Sequence, residues 1–389
     1  MTDAHYRDEL KQACADQLTA DGHLHGWLRT AFAIVPREAF VPDRVWWPVM
    51  GPDGTFPVRD RTADPRAWLE AVYDPHRPLI TQMDDHLDPS AGPAAGRFSS
   101  SISAPDIVCP MLHHLDVPGG HGVLEIGTGS GYNAAMLCER VGSSNVITVE
   151  IDERIVHHAR QSLYAAGYRP HVRCGDGTRQ VHGAAPFDRV IATASTRAIP
   201  YAWIEGTVPG GAILAPHATT TGPSGLVLLR VDEAGAAAGR FVELVDFMPL
   251  RGQVSQGDAV ARLRESTWDA AETATVEGDL GNLGDNRNGL FALWARHPTL
   301  RAARNPEGTW WLSSTDLTSW AAARPRPDGE SFRVKRHGPH DLFAELAEGA
   351  EWWRVSGWPE VARFGLTVTG EGETVWLDSP GRPVAAGLG

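Results

Sequence analysis

Apolar runs alternate with amphipathic stretches through the middle of this chain. Short runs rich in Val and Ile are each followed by a longer stretch in which apolar residues recur at helical spacing. Strands that alternate with helices in this way predict a parallel sheet, doubly wound by its helices. We expect strands at 122–127, 145–151, 171–175, 188–194 and 211–216, and helices near 132–141, 153–166 and 198–207.

The stretch before this alternation has a different pattern. Residues 3–34 place apolar side chains at helical spacing among charged ones, which predicts a helix. Residues 50–100 contain many Pro, Gly and Asp residues with little periodicity, so they are predicted to form long irregular connections. Connections of that length in a compact protein are usually functional lids or disordered segments.

The spacing of apolar runs in the C-terminal part of the chain predicts antiparallel strands. Apolar runs at 225–231 and 239–250 leave little room for helices between them. Nine of the 14 tryptophans lie beyond residue 250. The pairs at 310–311 and 352–353 are expected in a core, because Trp is normally well buried, with peptide binding by some of them as the alternative. A smaller α+β domain is predicted there, with a strand at 330–339, a helix at 341–357 and a hairpin at 364–378.

Residues 122–131 read GVLEIGTGSG and indicate a cofactor. An apolar strand ends in an acid and runs into a glycine-rich turn, where glycine allows positive φ angles and close approach of a ligand. The spacing is GxGxG rather than the GxGxxG of a dinucleotide site. We therefore favour S-adenosylmethionine over a dinucleotide, with a cofactor-free α/β domain as the remaining alternative. Glu150, at the end of the next apolar run, suits the ribose hydroxyls of either ligand.

The composition of the chain limits the classes of binding partner that we expect. The chain has 389 residues, of which 42% are hydrophobic and 21% charged, and a formal net charge of −13. An acidic chain argues against a nucleic-acid partner. The four cysteines show neither CxxC pairs nor zinc-like spacing, so we expect free thiols and no metal. The N-terminus lacks a signal peptide's apolar core and no apolar run could span a bilayer, so we expect a cytoplasmic protein without a membrane partner.

Three further segments accompany the glycine loop. They are VPREAFVP at 35–42, SSISAPDIV at 100–108 and CGDG at 174–177. With the loop, they resemble the protein-L-isoaspartate O-methyltransferase family over roughly residues 5–230. The resemblance implies the Rossmann-like fold of a class I S-adenosylmethionine-dependent methyltransferase, with a doubly wound, mostly parallel sheet. A smaller C-terminal α+β domain follows it here.

The resemblance also implies site residues. Ser103 matches the family serine at which the substrate carboxylate meets the sulfonium methyl, and Pro200 matches the proline before the last crossover helix. Taken alone, Ser103 and Asp176 also fit an ordinary helix cap and turn. The positions implied to contact the cofactor are Ser101, Ile102, Glu125, Gly127, Thr128, Gly129, Ser130, Gly131, Glu150, Ile151, Asp176 and Gly177.

The chemistry of carboxyl methylation agrees with this set of residues. A side-chain carboxylate is already ionised at neutral pH, so it attacks the methyl group without a general base. The protein needs only to align the reacting atoms and exclude water, and the hydroxyl of Ser103 is an adequate orienting donor. S-adenosylhomocysteine is the expected second product. The ester can then be displaced by the neighbouring backbone nitrogen, which gives a succinimide.

Departures from the family suggest a particular substrate. Residues 43–98 contain an insertion, Asp106 stands where the family has an aromatic residue or His, and a Trp-rich stretch follows the core. We predict an N-terminal region at 1–121, a cofactor-binding core at 122–250 and a peptide-recognition domain at 251–389. Asp106 would repel a substrate that carries an extra free α-carboxylate.

The leading hypothesis follows from the resemblance to extended members of the family. These are found with ribosomally made, modified peptides such as lanthipeptides, lasso peptides and graspetides. That resemblance implies methylation of an Asp in a pre-cyclised peptide, then closure to aspartimide and, in some cases, opening to isoaspartate. The alternatives are a repair methyltransferase for isoaspartyl residues in damaged proteins, and a non-catalytic module that binds a peptide.

Overall fold

The chain forms two compact units. The computed structural model describes residues 3–181, 186–253 and 257–384. The first unit comprises Met1–Ala194 and Ala202–Leu214, and the second comprises Ser195–Tyr201 and Ala215–Gly389. These bounds differ from those of the three predicted regions, so that functional division remains a prediction.

The first unit contains helices and strands in alternation. Its helices are α1 (Asp3–Ala20), α2 (Trp27–Ile34), α3 (Pro65–Val72), α4 (Pro105–Leu115), α5 (Tyr132–Val141), α6 (Glu153–Ala165) and α7 (Tyr201–Glu205). Its strands are β1 (Arg44–Trp46), β2 (Val58–Asp60), β3 (Leu79–Met83), β4 (Phe98–Ile102), β5 (Val123–Ile126), β6 (Val146–Glu150), β7 (His171–Cys174), β8 (Phe187–Ala192) and β9 (Thr207–His217). The division between the units falls within α7 and β9.

A parallel sheet with the order β9–β8–β5–β6–β7 forms the centre of the first unit. The chain builds outward from β5 through β6 and β7, then crosses to the other side of β5 with β8. This reversal makes the carboxyl end of β5 the place where a doubly wound sheet binds its ligand. The predicted strands and the helices at 132–141 and 153–166 are confirmed, and α7 is shorter than the predicted helix at 198–207.

The region predicted to be irregular at 50–100 is partly regular. It contains α3 and, within an antiparallel sheet of the order β2–β1–β3–β4, the strands β2 and β3 and the start of β4, joined by irregular segments. Trp46, Ile80 and Met83 form a buried cluster, and the N-cap Asp64 accepts a hydrogen bond from the Ala67 amide. The prediction missed these elements because frequent turn residues conceal strands as short as β2.

The predicted helix at 3–34 is two helices. The chain turns between α1 and α2, where Gly22 has a φ of 77° and Gly26 a φ of 58°. Glycine adopts such angles without steric cost and commonly ends a helix. Apolar spacing continues across the turn because both helices bury residues against the same unit: Cys14, Leu18, Leu28 and Phe32 are all buried.

The second unit is rich in antiparallel strands. Its strands are β10 (Ser224–Val231), β11 (Ala237–Val245), β12 (Glu272–Glu277), β13 (Leu300–Arg304), β14 (Trp310–Ser314), β15 (Trp320–Pro325), β16 (Ser331–His337), β17 (Phe364–Thr369) and β18 (Gly372–Leu377). Its remaining helices are α8 (Gly257–Thr267), α9 (Arg287–Arg296) and α10 (Leu342–Val355). One ladder runs β10–β11–β17–β18, and a separate sheet has the order β12–β16–β15–β14–β13.

Tryptophan supplies part of the core of the second unit. The buried ones are Trp294, Trp310, Trp320, Trp353 and Trp376. Each predicted pair thus buries one member, while Trp311 and Trp352 are partly buried. The predicted strand, helix and hairpin correspond to β16, α10 and β17–β18. None of the helices in the described ranges has the length and apolar character needed to cross a bilayer.

Candidate active site

The glycine loop joins β5 to α5 at the carboxyl edge of the central sheet. Gly127, Gly129 and Gly131 have φ angles of 94°, 52° and 89°, which residues with a side chain rarely adopt. A Cβ on Gly127 would lie 2.5 Å from Oγ1 of Thr193, and this hydroxyl donates a hydrogen bond of 2.6 Å to the Gly127 carbonyl. The loop therefore needs glycine both for its backbone angles and for its close contact with β8.

Glu125 supports the loop from within the core. Its fully buried carboxyl group accepts hydrogen bonds of 2.6 Å from Nδ2 of Asn133 and from Oγ1 of Thr148. The Thr148 hydroxyl also lies 2.6 Å from that of Thr128, a loop residue. Burial raises the pKa of Glu125 to about 7, although both hydrogen bonds act to lower it. Glu125 thus connects β5, β6 and α5 to the loop.

Glu150 lies where β6 ends and contacts the loop directly. One carboxylate oxygen accepts a hydrogen bond of 3.1 Å from the Gly129 amide, and the other accepts from the amides of Ile151 (2.9 Å) and Asp152 (3.2 Å). The carboxylate is half-buried, while the side chain of Ile151 is 45% exposed. An acid and an exposed apolar side chain thus stand together beside the loop.

Asp176 and Gly177 follow β7 at the same edge of the sheet. The exposed Asp176 accepts hydrogen bonds from the hydroxyl (2.7 Å) and amide (3.0 Å) of Thr178, and these bonds lower its pKa. A Cβ on Gly177 would lie 2.6 Å from Cγ2 of Ile126, and its carbonyl accepts a hydrogen bond of 2.7 Å from Nε1 of Trp203. A larger residue at position 177 would collide with β5.

The segment 101–103 reaches the glycine loop from β4. A Cβ on Gly129 would stand 3.6 Å from the Ser101 carbonyl oxygen, so the two segments lie side by side. Ser103 is half-buried, and its hydroxyl makes no hydrogen bond to any residue that the structure describes. Its carbonyl oxygen accepts a hydrogen bond of 2.9 Å from Nη2 of Arg37. The structure thus brings the proposed catalytic segment and the proposed cofactor loop together.

Three other predicted positions lie in the 101–103 segment and the glycine loop: Ile102 and Thr128 are buried, and Ser130 is half-buried. Pro200, in contrast, belongs to the second unit. Within residues 3–181, 186–253 and 257–384, no group of three or more His, Cys, Asp or Glu side chains is arranged to hold a metal ion.

The insertion, which was predicted to be mostly irregular, is hydrogen-bonded to residues beside the candidate site. Nε2 of Gln82 donates a hydrogen bond of 2.9 Å to Asp152, and the Ser99 hydroxyl donates one of 3.0 Å to Gln82. Nη2 of Arg154 donates to the Asp85 carbonyl at 3.0 Å. These bonds join β3 and β4 to the residues that follow Glu150. The apolar residues Leu79, Ile80 and Met83 in LITQM, the sequence of β3, were the available sequence signal.

Asp106 has a partner that sequence reasoning missed. Nδ1 of His76 lies 2.9 Å from the Asp106 carboxylate, and the Asp106 amide donates a hydrogen bond of 3.0 Å to the Pro75 carbonyl. Asp106 begins the helix that follows Ser103. The insertion therefore supplies an imidazole beside an acid that the sequence analysis had treated as acting alone.

This arrangement defines a class of protein. A strand, a glycine loop and an acid at the end of the next strand lie at the reversal point of a doubly wound sheet, which is the arrangement expected of a class I methyltransferase fold. A solved structure of a protein-L-isoaspartate O-methyltransferase covers 96% of this chain and 100% of its own, with a TM-score of 0.54 at 18% identity. That likeness confirms the predicted fold class.

Sequence comparison identifies the family. Residues 91–255 match the family model for protein-L-isoaspartate(D-aspartate) O-methyltransferase. A protein of that name from Archaeoglobus fulgidus is 37% identical over 40% of this chain and 71% of its own length. Another from Hyperthermus butylicus is 30% identical over 54% of this chain and 75% of its own. The chain belongs to the protein-L-isoaspartate O-methyltransferase family of S-adenosylmethionine-dependent carboxyl O-methyltransferases, which confirms the predicted family, enzyme class and cofactor.

Glu125→Gln is expected to remove a pH dependence of stability. The folded chain raises the pKa of Glu125 from 4.5 to about 7, so it binds this proton more tightly than the unfolded chain does. The free energy of unfolding should therefore fall as pH rises between these values, by about 3 kcal/mol in all. Urea unfolding across this pH range measures the effect.

The matched control is Glu139→Gln, on the exposed face of α5, where the carboxylate accepts a hydrogen bond from Tyr168. This variant should keep the fall in stability seen in the unaltered protein. An equal fall in the Glu125→Gln protein would show that burial of Glu125 is not its cause.

Gly177→Ala is expected to destabilise the first unit. The added Cβ would lie 2.6 Å from Ile126, and such overpacking typically costs about 1–3 kcal/mol. A Cβ on Gly175 would meet no atom within 4 Å, so Gly175→Ala is the control. Chemical denaturation of both variants tests this difference, and equal stabilities would contradict the predicted collision.

Proposed function

We propose that this protein methylates the side-chain carboxylate of an Asp in a dedicated, ribosomally made peptide that is cyclised beforehand. The observation that carries the proposal is the position of Ser101–Ser103 against the glycine loop, at the end of a sheet built from the insertion. We propose a cytoplasmic location, where S-adenosylmethionine is made.

The residues of the cofactor edge fit S-adenosylmethionine. The glycine loop presents no side chain at Gly127, Gly129 or Gly131, so a ligand can lie against its backbone. Glu150 would accept hydrogen bonds from the ribose hydroxyls, and Ile151 would pack on the adenine. The remaining proposed contacts are Ser101, Ile102, Thr128, Ser130, Asp176 and Gly177, whereas the buried Glu125 would act by holding the loop. The cofactor supplies an electrophilic methyl group on a sulfonium.

Ser103 would orient the acceptor. Its hydroxyl is engaged by no described residue, so it can donate a hydrogen bond to one carboxylate oxygen while the other attacks. The attack forms an O–CH₃ bond and breaks the C–S bond, whose electron pair stays on sulfur. No proton moves, so no base is needed. The backbone nitrogen of the next residue then attacks the ester, and methanol leaves with that nitrogen's proton, which yields the aspartimide.

The insertion supports a restricted substrate. Sheet β2–β1–β3–β4 is bonded to the residues after Glu150 through Gln82, and it leads directly into Ser103. A site bounded by this sheet suits a peptide of defined shape, and pre-cyclisation lowers the conformational entropy that this peptide loses on binding.

Repair of isoaspartyl residues in damaged proteins is the second candidate. It is favoured by the relatives, which are named as protein-L-isoaspartate O-methyltransferases. The solved structure of that name covers nearly all of this chain, so a long C-terminal region is not by itself a sign of a dedicated peptide. The insertion then remains the main structural argument for the first candidate.

The two candidates predict different turnover of a linear isoaspartyl peptide. With labelled S-adenosylmethionine, we expect kcat/KM at least about 100-fold below that of the Archaeoglobus fulgidus relative assayed in parallel, because the antiparallel sheet beside Ser103 is proposed to restrict the acceptor. A modified peptide encoded beside this gene should be methylated in the same assay. Turnover of the isoaspartyl peptide at the relative's level would establish repair instead.

Two substitutions separate the proposed roles of the site residues. Glu150→Gln should weaken S-adenosylhomocysteine binding about tenfold, since it exchanges a charged acceptor for a neutral one. Ser103→Ala should leave that binding unchanged and lower kcat/KM about 10- to 100-fold. Calorimetry and the labelled-methyl assay measure the two effects.

The exposed Glu153 on α6 provides a control, Glu153→Gln, that should change neither quantity. If the unaltered protein failed to bind S-adenosylhomocysteine, or if both site variants kept full biological effect, the non-catalytic peptide-binding alternative would be favoured.

A further inference from the structure

A buried guanidinium lies directly behind Ser103. Arg37 is 1% exposed, and its Nε donates a hydrogen bond of 2.9 Å to the Val72 carbonyl. Its Nη2 donates one of 2.9 Å to the Ser103 carbonyl, and the group lies 4.9 Å from the ring centre of Tyr132. Tyr132 is the first residue of α5, next to Gly131. Arg37 thus connects the proposed catalytic turn with the end of the cofactor loop.

This charge has no carboxylate partner in the part of the chain that the structure describes. Both of its hydrogen-bond acceptors are neutral carbonyls. The neighbouring Glu38 accepts a hydrogen bond from Tyr73 and lies 3.6 Å from Nε of Arg7, while Asp106 pairs with His76. Guanidinium stays protonated in proteins, and a buried charge is normally paired because desolvation is costly. An unpaired Arg37 therefore needs a physical explanation.

We propose that Arg37 is a positioning residue whose charge is balanced by the acceptor carboxylate when the peptide is bound. This inference rests on the proposed function, since it takes Ser103 as the acceptor site. Arg37 is too buried to touch the peptide, so it acts through the Ser103 carbonyl, which it fixes, and through its electric field. In a site of low dielectric, a single charge several ångströms away changes the affinity for an anion substantially.

The same charge distinguishes substrate from product. Methyl transfer converts an anionic carboxylate into a neutral ester, so the attraction to Arg37 disappears when the reaction is complete. The enzyme would therefore hold the unmethylated peptide more tightly than the methylated one. Arg suits this role better than Lys, because its fork bonds two carbonyls at once and its charge cannot be lost by deprotonation.

Binding of two blocked tetrapeptides tests the inference without methyl transfer. The probes are acetyl-Gly-Asp-Gly-Gly-amide and its Asn counterpart, added to the protein saturated with S-adenosylhomocysteine and followed by NMR chemical shifts. The unaltered protein should bind the Asp peptide about tenfold more tightly than the Asn peptide. In Arg37→Gln the two affinities should become nearly equal, with S-adenosylhomocysteine affinity unchanged. If Arg37→Gln only disturbed the structure of the site, it would weaken the binding of both peptides by the same factor.

Arg189 supplies a matched control. It is also buried, and its guanidinium bonds the carbonyls of Leu115, Asp116 and Asp188, beside the start of β5 rather than its end. Arg189→Gln should keep the preference for the Asp peptide. If Arg37→Gln fails to fold, Arg37→Lys replaces it and should keep the preference for the Asp peptide.

Three results would overturn the inference. They are an undiminished preference in Arg37→Gln, a lost preference in a folded Arg37→Lys, and no preference or no detectable binding in the unaltered protein. Because no methyl group is transferred and neither peptide is cyclised, these outcomes do not depend on whether a dedicated peptide or a damaged protein is the natural substrate.

Discussion

The close approach of two backbone segments, the end of β4 and the glycine loop, is the constraint on which the site depends. Ser101 and Gly129 lie side by side with no side chain between them, and Glu150 holds the Gly129 amide from the other side. In the proposed reaction a carboxylate and a sulfonium methyl must meet within van der Waals distance and in line, so the segments proposed to hold them must lie close together. The central sheet supplies one segment and the antiparallel sheet the other.

The central sheet could be predicted from the sequence because each of its parts has a strong local signal. Buried parallel strands are nearly continuous apolar runs, and the helices between them have a regular apolar spacing, so β5, β6 and α5 were all predicted. The glycine loop could also be predicted, since its positive φ angles favour glycine. These features are set by residues close together in the chain.

The antiparallel sheet and its contacts escaped prediction because they depend on residues far apart in sequence. β1 and β2 are short strands whose pairing is specified by partners rather than by their own composition. Gln82 and Asp152, or His76 and Asp106, meet only after the insertion has folded onto the core. Nothing local in the sequence marks such pairs, so Asp106 was assigned a bare negative charge that the structure qualifies.

In the proposed reaction the balance of charge matters more than acid–base chemistry, because the attacking carboxylate is already ionised. A carboxylate that attacks a sulfonium neutralises two opposite charges, so a polar, water-filled site would stabilise the reactants more than the transition state. The structure places a half-buried serine at the proposed acceptor site, with the His76 imidazole beside the Asp106 carboxylate and the Arg37 guanidinium behind the Ser103 carbonyl. Under the proposed function, selectivity among carboxylates would depend on these groups, and the insertion contributes His76 to them.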